Sequence, residues 1–262
     1  LMMRDNLVKQ EFADVVRLKD SMDLIPESSN IDERALQADL HYMMAFGQFQ
    51  SRNYAGAEVE FGMILAEYQN SIHFNDARYY RGMTRMLQAC YAEALEDFVT
   101  YRDQNGSGEH AAAALFRSGV CRFGLEEIGE AEALFSEFIS TYTGDVLISE
   151  AYSMRGDIEA SKESTPEDPN PLDRALSDYR NGIDTATAPL QSSYAAFQAA
   201  KVYKLEERWE EIIELMNYYL DRWEELANVA ESTFWIGQAQ TELGQLDEAV
   251  NAYVDTIERF GN

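Results

Sequence analysis

Proline and glycine are scarce in this chain of 262 residues, which contains five prolines and 15 glycines. Both residue types interrupt helices, proline because it has no amide hydrogen to donate and glycine because ordering its backbone costs more entropy. Alanine, leucine, glutamate and methionine are abundant instead, and all four favour helices. The composition therefore predicts an all-α protein.

Basic residues are also few, with 21 lysines and arginines against 47 aspartates and glutamates and a formal net charge of −26. A protein this acidic repels nucleic acid and anionic lipid at moderate salt, so we expect no nucleic-acid partner. Sixteen of the basic residues are arginines, whose forked guanidinium group suits fixed pairing with carboxylates. This balance is compatible with a binding scaffold.

Long apolar runs are absent as well. No stretch of 18 apolar residues occurs, which predicts no direct insertion of this segment into a membrane. Residues 1–5 lack the basic flank and the apolar stretch of an export signal. Because leucine is an unusual first residue, we interpret the chain as a mature or excised fragment, which leaves its compartment, any anchor and its flanking domains open.

Cysteine and histidine form no recognisable metal or redox motif. Cys90 and Cys121 show no C-x-x-C spacing, so we expect two buried free thiols. His73 and His110 lie 37 residues apart, at equivalent positions of neighbouring repeats that are too distant to share a zinc ion. The sequence therefore predicts no metal site.

Catalytic and cofactor motifs are missing too. Residues 103–109 imitate the first half of a calcium loop, but Ala114 stands where a bidentate glutamate would close the coordination shell. There is no phosphate-cradling glycine loop and no Gly-x-Ser-x-Gly elbow. We therefore expect no catalytic residue and no cofactor, and a protein that is not an enzyme.

A repeat of 37 residues organises most of the chain. Small residues recur in six helix-like segments, at Ala45, Gly82, Gly119, Gly156, Ala200 and Gly237, and every step is 37 residues except one of 44. A bulky residue follows each of them at a fixed distance, at Phe61, Phe98, Phe135, Tyr179, Met216 and Tyr253, with seven extra residues in the fourth repeat. We expect the small residue to let two helices approach closely and the bulky residue to fill the space beside it.

Short breaks such as residues 50–53 and 243–245 divide each repeat into two helices, which predicts helical hairpins. One hairpin cannot bury its own apolar face, so consecutive hairpins should stack into a solenoid over residues 31–262. The predicted units are residues 38–74, 75–111, 112–148, 149–192, 193–229 and 230–262. The fourth contains a proline-rich insertion at 162–171, and residues 1–30 predict an N-terminal helix and linker outside the period.

The last unit carries the landmarks of a known repeat. Its sequence Phe234-Trp235-Ile236-Gly237-x6-Leu243-Gly244-x4-Ala249-x3-Tyr253 resembles a tetratricopeptide repeat. The common repeat has about 34 residues, whereas the longer form here, in segments such as residues 61–71 and 135–145, resembles bacterial cell-envelope proteins of the Tol-Pal coordinator and outer-membrane assembly lipoprotein type.

This resemblance implies a right-handed α-solenoid of about six tetratricopeptide-like hairpins. It also implies a non-catalytic scaffold that binds a partner protein or peptide segment, in the periplasm or cell envelope rather than the cytoplasm. The alternative is a structural module of a larger multidomain or lipoprotein assembly, which engages through its edges or its flanking domains.

In this superfamily the first helix of each hairpin lines the partner-binding face. One stripe along these helices is aromatic and methionine-rich in the first half of the chain and polar in the second. Its members are Tyr42, Phe46, Phe49, Tyr79, Met83, Met86, Phe116, Phe123, Phe197, Lys201, Lys204 and Phe234. As a groove, this stripe would take apolar anchors of a partner segment, while the two lysines meet an acidic group.

A second face of the same helices is rich in arginine. If the first helices are rotated relative to the common repeat, the aromatic stripe is core and the accessible residues are Arg78, Arg81, Arg85, Arg117, Arg122 and Arg155. Such a row would bind an acidic tail or be neutralised by carboxylates of adjacent helices. The Lys-x3-Asn clamp of the chaperone-binding members is absent. The sequence leaves the binding face, the partner and the oligomeric state open.

Overall fold

The structure is a computed structural model, which describes residues 31–223 and 228–260. Those residues form twelve α-helices and no β-strand, so the predicted all-α class is confirmed. The N-terminal helix predicted within residues 1–30 lies outside the described residues.

Outside residues 224–227, which the structure does not describe, the helices are separated by short turns, with one longer loop before the eighth helix. In chain order they are α1 (Ile31–Gln50), α2 (Tyr54–Glu67), α3 (Phe74–Leu87), α4 (Tyr91–Gln104), α5 (Ala111–Gly124), α6 (Ile128–Thr141), α7 (Ile148–Ser161), α8 (Pro171–Thr185), α9 (Pro189–Leu205), α10 (Trp209–Trp223), α11 (Val229–Glu242) and α12 (Leu246–Phe260). Helices adjacent in the chain pack against each other, as in α1–α2, α3–α4, α7–α8 and α11–α12. Among the described residues this packing forms hairpins at α1–α2, α3–α4, α7–α8, α9–α10 and α11–α12, as the repeat predicts.

The chain divides into two compact units between Leu134 and Phe135, within α6. Unit 1 has apolar clusters that include the buried rings of Phe61 and Phe98. Unit 2 has a larger cluster that includes Tyr179 and Tyr219.

Small and bulky residues interlock within the hairpins. A Cβ atom added to Gly82 would lie 2.9 Å from a ring carbon of Phe98, and one added to Gly156 would lie 2.8 Å from a ring carbon of Tyr179. In the last hairpin the corresponding distance from Gly237 to Tyr253 is 2.7 Å. These separations are too short for any side chain larger than a hydrogen atom, and the predicted pairing of small with bulky positions is confirmed there.

The turn between the two helices of a hairpin has a recurring left-handed residue. Positive φ angles occur at Arg52, Ala89, Glu126, Glu207 and Gly244, and these positions are related by the repeat. A left-handed conformation costs a non-glycine residue on the order of 1 kcal/mol. Four hairpins therefore keep this turn geometry with a residue other than glycine, although glycine adopts it most easily.

Tyrosine hydroxyl groups accept hydrogen bonds from backbone N–H groups at the start of the next hairpin. The Tyr101 hydroxyl accepts a hydrogen bond from the backbone N–H of His110 at 3.2 Å, and the Tyr219 hydroxyl accepts one from the N–H of Asn228 at 3.0 Å. Both amides lie at helix N-termini, where the first N–H groups have no partner within the helix. The two bonds tie α4 to the start of α5 and α10 to the start of α11.

The proline-rich insertion is an ordered loop between α7 and α8. Arg174 of α8 bonds to Asp168 in the loop at 2.6 Å and to Glu159 of α7 at 2.7 Å. Within the loop, the Thr165 N–H donates to the Asp168 carbonyl at 2.9 Å. The ion pairs of Arg174 thus hold the insertion against the α7–α8 hairpin.

Candidate partner-binding surface

The first helices of the hairpins are α1, α3, α5, α7, α9 and α11, and they carry every residue of the predicted groove. Three aromatic members of that groove are core residues, since Tyr79 is 7% exposed, Phe116 2% and Phe197 9%. The expectation that these three rings line an accessible groove is wrong. Phe234, at the same repeat position in α11, is 50% exposed.

Histidine stacking accounts for the burial of Tyr79 in unit 1. The ring of His110 lies parallel to that of Tyr79, with centroids 4.2 Å apart, and His73 stacks on the half-buried ring of Tyr42 at 4.1 Å. His73 Nε2 also lies 3.0 Å from Asp39 Oδ1. Each histidine therefore covers the aromatic residue of the preceding hairpin, and both histidines are half-buried.

The next positions of the predicted groove in unit 1 are partly accessible. Phe46 and Phe49 are half-buried and pack against the ring of Tyr80, at centroid distances of 5.3 and 5.9 Å. Met83 and Met86 are also half-buried, and Phe123 is exposed. Unit 1 thus presents the edges of apolar side chains rather than an open aromatic ladder.

Most of the arginine row is paired inside its own hairpin or with a neighbouring helix. Asp97 of α4 is 2% exposed and accepts from both Arg81, at 2.6 Å, and Arg85, at 2.9 Å. In unit 2, Arg155 bonds to Asp178 at 2.6 Å. Arg122 pairs with Glu127. The guanidinium groups of these four arginines are therefore neutralised by the protein's own carboxylates.

Hydrogen bonding keeps these pairs ionised. Burial alone would lower the pKa of Arg85, but hydrogen bonds to Glu58 and Asp97 raise it above its ordinary value. Burial would likewise raise the pKa of Glu58, and the bonds from Arg85 and Gln88 lower it instead. The hydrogen bond to Asp178 raises the pKa of Arg155. Such charge-assisted contacts are the strong ones in proteins.

The other two arginines of the row contact aromatic rings. The guanidinium of Arg78 lies 5.2 Å from the ring centroid of Phe74, and that of Arg117 lies 5.3 Å from the ring of Phe116. Neither arginine forms an ion pair with any residue that the structure describes, and the Nε atoms of both are buried without a hydrogen-bond partner. Burial lowers the pKa of Arg78. The side chains of Arg78 and Arg117 are therefore partly buried rather than exposed.

Lys201 and Lys204 differ from the arginines because both are exposed. Lys201 Nζ donates to the side-chain oxygen of Gln198 at 3.0 Å, and Lys204 Nζ donates to that of Gln238 at 3.1 Å. Lys204 Nζ also lies 5.8 Å from the ring centroid of Trp235. Within residues 31–223 and 228–260, neither lysine forms an ion pair.

A carboxylate borders the lysines on the preceding hairpin. Asp157 of α7 accepts hydrogen bonds from the hydroxyl groups of Tyr179, at 2.8 Å, and Tyr194, at 2.6 Å. Burial raises the pKa of Asp157, although the two hydroxyl groups and the nearby charge of Lys201 oppose the shift. Burial and the bond to Asp157 raise the pKa of Tyr194 to about 12. Lys201 therefore has a negative neighbour that is already occupied by two tyrosines.

Together these side chains form one accessible face of unit 2, which we call the lysine face. It comprises Asp157, Tyr194, Gln198, Lys201, Lys204, Trp235 and Gln238, from α7, α9 and α11. Lysine ammonium groups here can meet carboxylates, while Tyr194 and Trp235 offer aromatic surface with a polar edge. The sequence places the two lysines on this face but gives no sign that Tyr194 and Trp235 join them, since those positions are occupied by unlike residues in the other repeats.

In the part of the chain that the structure describes, no group of three or more His, Cys, Asp and Glu residues is placed to hold a metal ion. None of the described helices is both long and apolar enough to span a bilayer. Cys121 is buried, and burial raises its pKa to about 12. Cys90 is exposed at the start of α4, so the expectation of two buried thiols is wrong for Cys90.

Comparison with known proteins identifies the repeat. Residues 231–262 match the family model of the tetratricopeptide repeat. No curated protein matches the chain in sequence. The fold is similar to the C-terminal part of a TPR repeat-containing protein from Cytophaga hutchinsonii, with a TM-score of 0.63 and 17% identity, over 83% of this chain and 78% of that chain.

Two further solved structures have the same fold. The apo form of RapI matches with a TM-score of 0.61 and 13% identity, over 98% of this chain and 70% of its own. Yeast Tom70 matches with a TM-score of 0.51 and 15% identity, over 95% of this chain and 55% of its own. These likenesses show the fold, an α-solenoid of helical hairpins, and the match to the tetratricopeptide repeat model covers residues 231–262.

Proposed function

We propose that this chain is a non-catalytic scaffold that binds a segment of a partner protein through the lysine face of unit 2. Tetratricopeptide repeat proteins are generally non-catalytic scaffolds with protein partners, and stacked hairpins offer an extended surface for such a role. The fold alone does not select a site, so the proposal depends on the chemistry of this face.

The single observation that carries the proposal is the environment of Lys201 and Lys204, which are exposed and have no ion pair among the described residues. In a chain with a net charge of −26, these two cations are exposed, and among the residues that the structure describes their hydrogen bonds go to glutamine side chains. Arg81, Arg85 and Arg155 all have carboxylate partners. Two adjacent ammonium groups that form no ion pair with the described residues favour an acidic group of the partner.

The face also supplies a non-ionic contact. Lys201 and Lys204 lie three residues apart on α9 and therefore share one side of the helix. Trp235 lies beside Lys204, where its ring can pack against an aromatic or aliphatic side chain. We therefore infer a partner segment with one or two acidic residues next to an apolar residue. In unit 1, the half-exposed Phe46, Met83 and Met86 and the exposed Phe123 remain proposed contacts for further apolar residues.

Peptide binding tests this function. The probe is a fluorescein-labelled peptide of sequence Gly-Asp-Glu-Leu-Asp-Glu-Phe-Gly, followed by anisotropy as the protein is added. We expect Lys201→Glu/Lys204→Glu to weaken binding about tenfold or more, because like charges then face each other. Lys201→Arg/Lys204→Arg keeps the charge and is the matched control. Equal affinity of the charge-reversed and wild-type proteins would remove the lysine face from the proposal.

The cellular setting stays a prediction from sequence resemblance. The 37-residue repeat resembles bacterial cell-envelope proteins, and we propose an adaptor of the envelope on that ground. Fractionation of cells that express the full-length protein from its own gene checks it: recovery in the periplasm or membrane fraction is expected, and recovery in the cytoplasm alone contradicts it.

A structural module is the second candidate function, because the last helix has an uncovered apolar side. Leu246, Val250, Val254 and Ile257 of α12 are all exposed and share one face of the helix. Such a face suits assembly with another helical element. Substituting Val250 and Val254 by glutamate should abolish assembly with flanking domains if this candidate is correct, while substitutions on the lysine face leave it intact.

A further inference from the structure

A cavity of about 190 Å³ lies between α8, α9 and α10 in unit 2. Its floor is apolar, made by Leu176, Ala199 and Leu215, and all three are buried residues of the unit 2 core. Pockets for drug-sized molecules have volumes of about 300 to 1,000 Å³. The size of this cavity therefore suits one side chain rather than a whole small molecule.

The repeat shows why a cavity exists at this place. Ala199 and Leu215 occupy the repeat positions of Arg81 and Asp97 in the α3–α4 hairpin. There the guanidinium group of Arg81 fills the space and bonds to Asp97 at 2.6 Å. In α9–α10 a methyl group replaces the arginine, and the space that the chain fills for itself in unit 1 stays open.

The rim of the cavity is held in place by contacts that lie outside it. Arg208 bonds to Glu211 at 2.9 Å and covers the ring of Tyr203, with its guanidinium carbon 4.7 Å from the centroid. Arg180 lies over the ring of Tyr218 at 3.5 Å. These contacts keep the rim side chains from collapsing inward, so the cavity is formed before anything binds.

One rim charge has no partner. Glu214 lines the cavity and is exposed, and it forms no ion pair with any of the residues that the structure describes. Glu211 is already paired with Arg208, and Arg180 lies 3.6 Å from Asp184. The free carboxylate of Glu214 gives the rim a preference for a positive group.

We propose that this cavity is an anchor site for one aliphatic or aromatic side chain of a partner protein, and that a lysine or arginine next to that side chain pairs with Glu214. A buried apolar anchor surrounded by polar rim contacts is the usual arrangement of a strong interaction point. The site is separate from the lysine face, because Ala199 and Lys201 point in directions about 160° apart around α9.

Methyl NMR with two short peptides tests the anchor site. The probes are acetylated Gly-Phe-Lys-Gly amide and its counterpart Gly-Ala-Lys-Gly, added to wild-type protein with labelled alanine and leucine methyl groups. We expect the first peptide to shift the methyl signals of Leu176, Ala199 and Leu215, and the second to bind about tenfold more weakly. Equal affinity of the two peptides, or shifts elsewhere only, overturns the proposal.

Two variants confirm the location. Ala199→Leu fills the cavity from within and should abolish the shifts at Leu176 and Leu215. Glu214→Gln leaves the floor unchanged and should weaken the phenylalanine peptide about threefold, the effect of an exposed charge pair. If Ala199→Leu fails to fold, the peptide pair and Glu214→Gln still decide the question. Unchanged binding to Glu214→Gln would refute the basic neighbour.

The same titration separates this proposal from the lysine face. Lys201→Glu/Lys204→Glu should bind the Gly-Phe-Lys-Gly peptide as the wild type does, and Ala199→Leu should bind the acidic peptide as the wild type does. Loss of only one of the two activities in each variant shows two sites. Loss of both in either variant contradicts the separation.

Discussion

The α3–α4 and α9–α10 hairpins share the same architecture but differ at one pair of facing positions, which is an ion pair in α3–α4 and an apolar pair in α9–α10. In α3–α4 a buried carboxylate, Asp97, bonds to Arg81 and Arg85. In α9–α10 the positions of Arg81 and Asp97 hold Ala199 and Leu215, both buried in an apolar cluster. The hairpin α7–α8 follows the first solution, with Arg155 bonded to Asp178.

The difference teaches that the two positions form one coupled unit. Where the first helix has arginine the second has aspartate, and where the first helix has alanine the second has leucine. A buried charge without its partner costs several kcal/mol, whereas an apolar pair of similar volume is close in energy to an ion pair. Either solution is stable. In α1–α2 the same positions hold Met44 and the buried Glu60, which pairs with His41 at 2.7 Å, so an acid at the second position needs a basic partner from the hairpin, which is Arg81 or Arg85 in the case of Asp97.

The largest expected effect comes from placing the leucine of the apolar pair opposite the arginine of the ion pair. Asp97→Leu leaves Arg81 without its carboxylate and removes one of the two acids of Arg85, so we expect the free energy of unfolding to fall by about 3–5 kcal/mol. Urea unfolding followed by circular dichroism measures the change. Arg81→Ala/Asp97→Leu reproduces the pair of α9–α10 and should recover most of the loss. A double variant no more stable than Asp97→Leu would show that the two positions are not coupled.

A smaller effect tests the contact between small and bulky residues. In α7–α8 the rigid ring of Tyr179 lies against Gly156, at 2.8 Å from an added Cβ, whereas α9–α10 has Ala200 and the flexible Met216 at these positions. Gly156→Ala should therefore cost about 1–3 kcal/mol through overpacking. Thermal and urea unfolding measure it.

Gly62 provides the matched control for that substitution. It lies within α2 and has no atom within 4 Å of an added Cβ, so Gly62→Ala should stabilise the protein by about 1 kcal/mol through helix propensity. If both alanine variants change stability in the same direction, close packing does not explain the glycine of α7.

The hairpins and their internal contacts could be predicted from the sequence because both are periodic. The 37-residue step fixes which residues face each other within a hairpin, and small residues such as Gly82 identify the close approach directly. The residues that meet between hairpins were harder to predict. Tyr42 and His73 stack across a hairpin boundary, and their rotation about the helix axes is set by tertiary packing rather than by the period.

The candidate site was predictable only in part for the same reason. Lys201 and Lys204 stand out because lysine is rare in this chain, and both are exposed. Tyr79 and Phe116 were expected beside them because they share one repeat position with Phe197. Successive side chains are rotated by about 100° around a helix axis, so a small rotation of the helix decides whether a side chain faces the groove or the next hairpin. His73 and His110 follow Tyr42 and Tyr79 at the same distance in the repeat, and this recurrence was the available signal for the burial of Tyr79.

The pH dependence offers the smallest effect and contrasts two acids, one from each unit. Hydrogen bonds from Arg85 and Gln88 overcome the effect of burial and lower the pKa of Glu58 below its ordinary value of 4.5. A lowered pKa in the folded state means that Glu58 stabilises the protein above pH 4.5 and that this contribution is lost as the pH falls further. The stability difference between wild type and Glu58→Gln should therefore shrink on acidification.

Asp157 should behave in the opposite way, because burial raises its pKa above the ordinary value of 3.8. An acid with a raised pKa in the folded state opposes folding when it is ionised, and that cost disappears as the pH falls through the folded pKa towards 3.8. Wild type should therefore gain stability relative to Asp157→Asn between pH 7 and pH 4, measured by urea unfolding at each pH. The two hairpin acids then have slopes of opposite sign, since Glu58 is bonded to a cation while Asp157 is bonded only to tyrosine hydroxyl groups. Slopes of the same sign would mean that the bonding partner of the carboxylate does not control its response to acid.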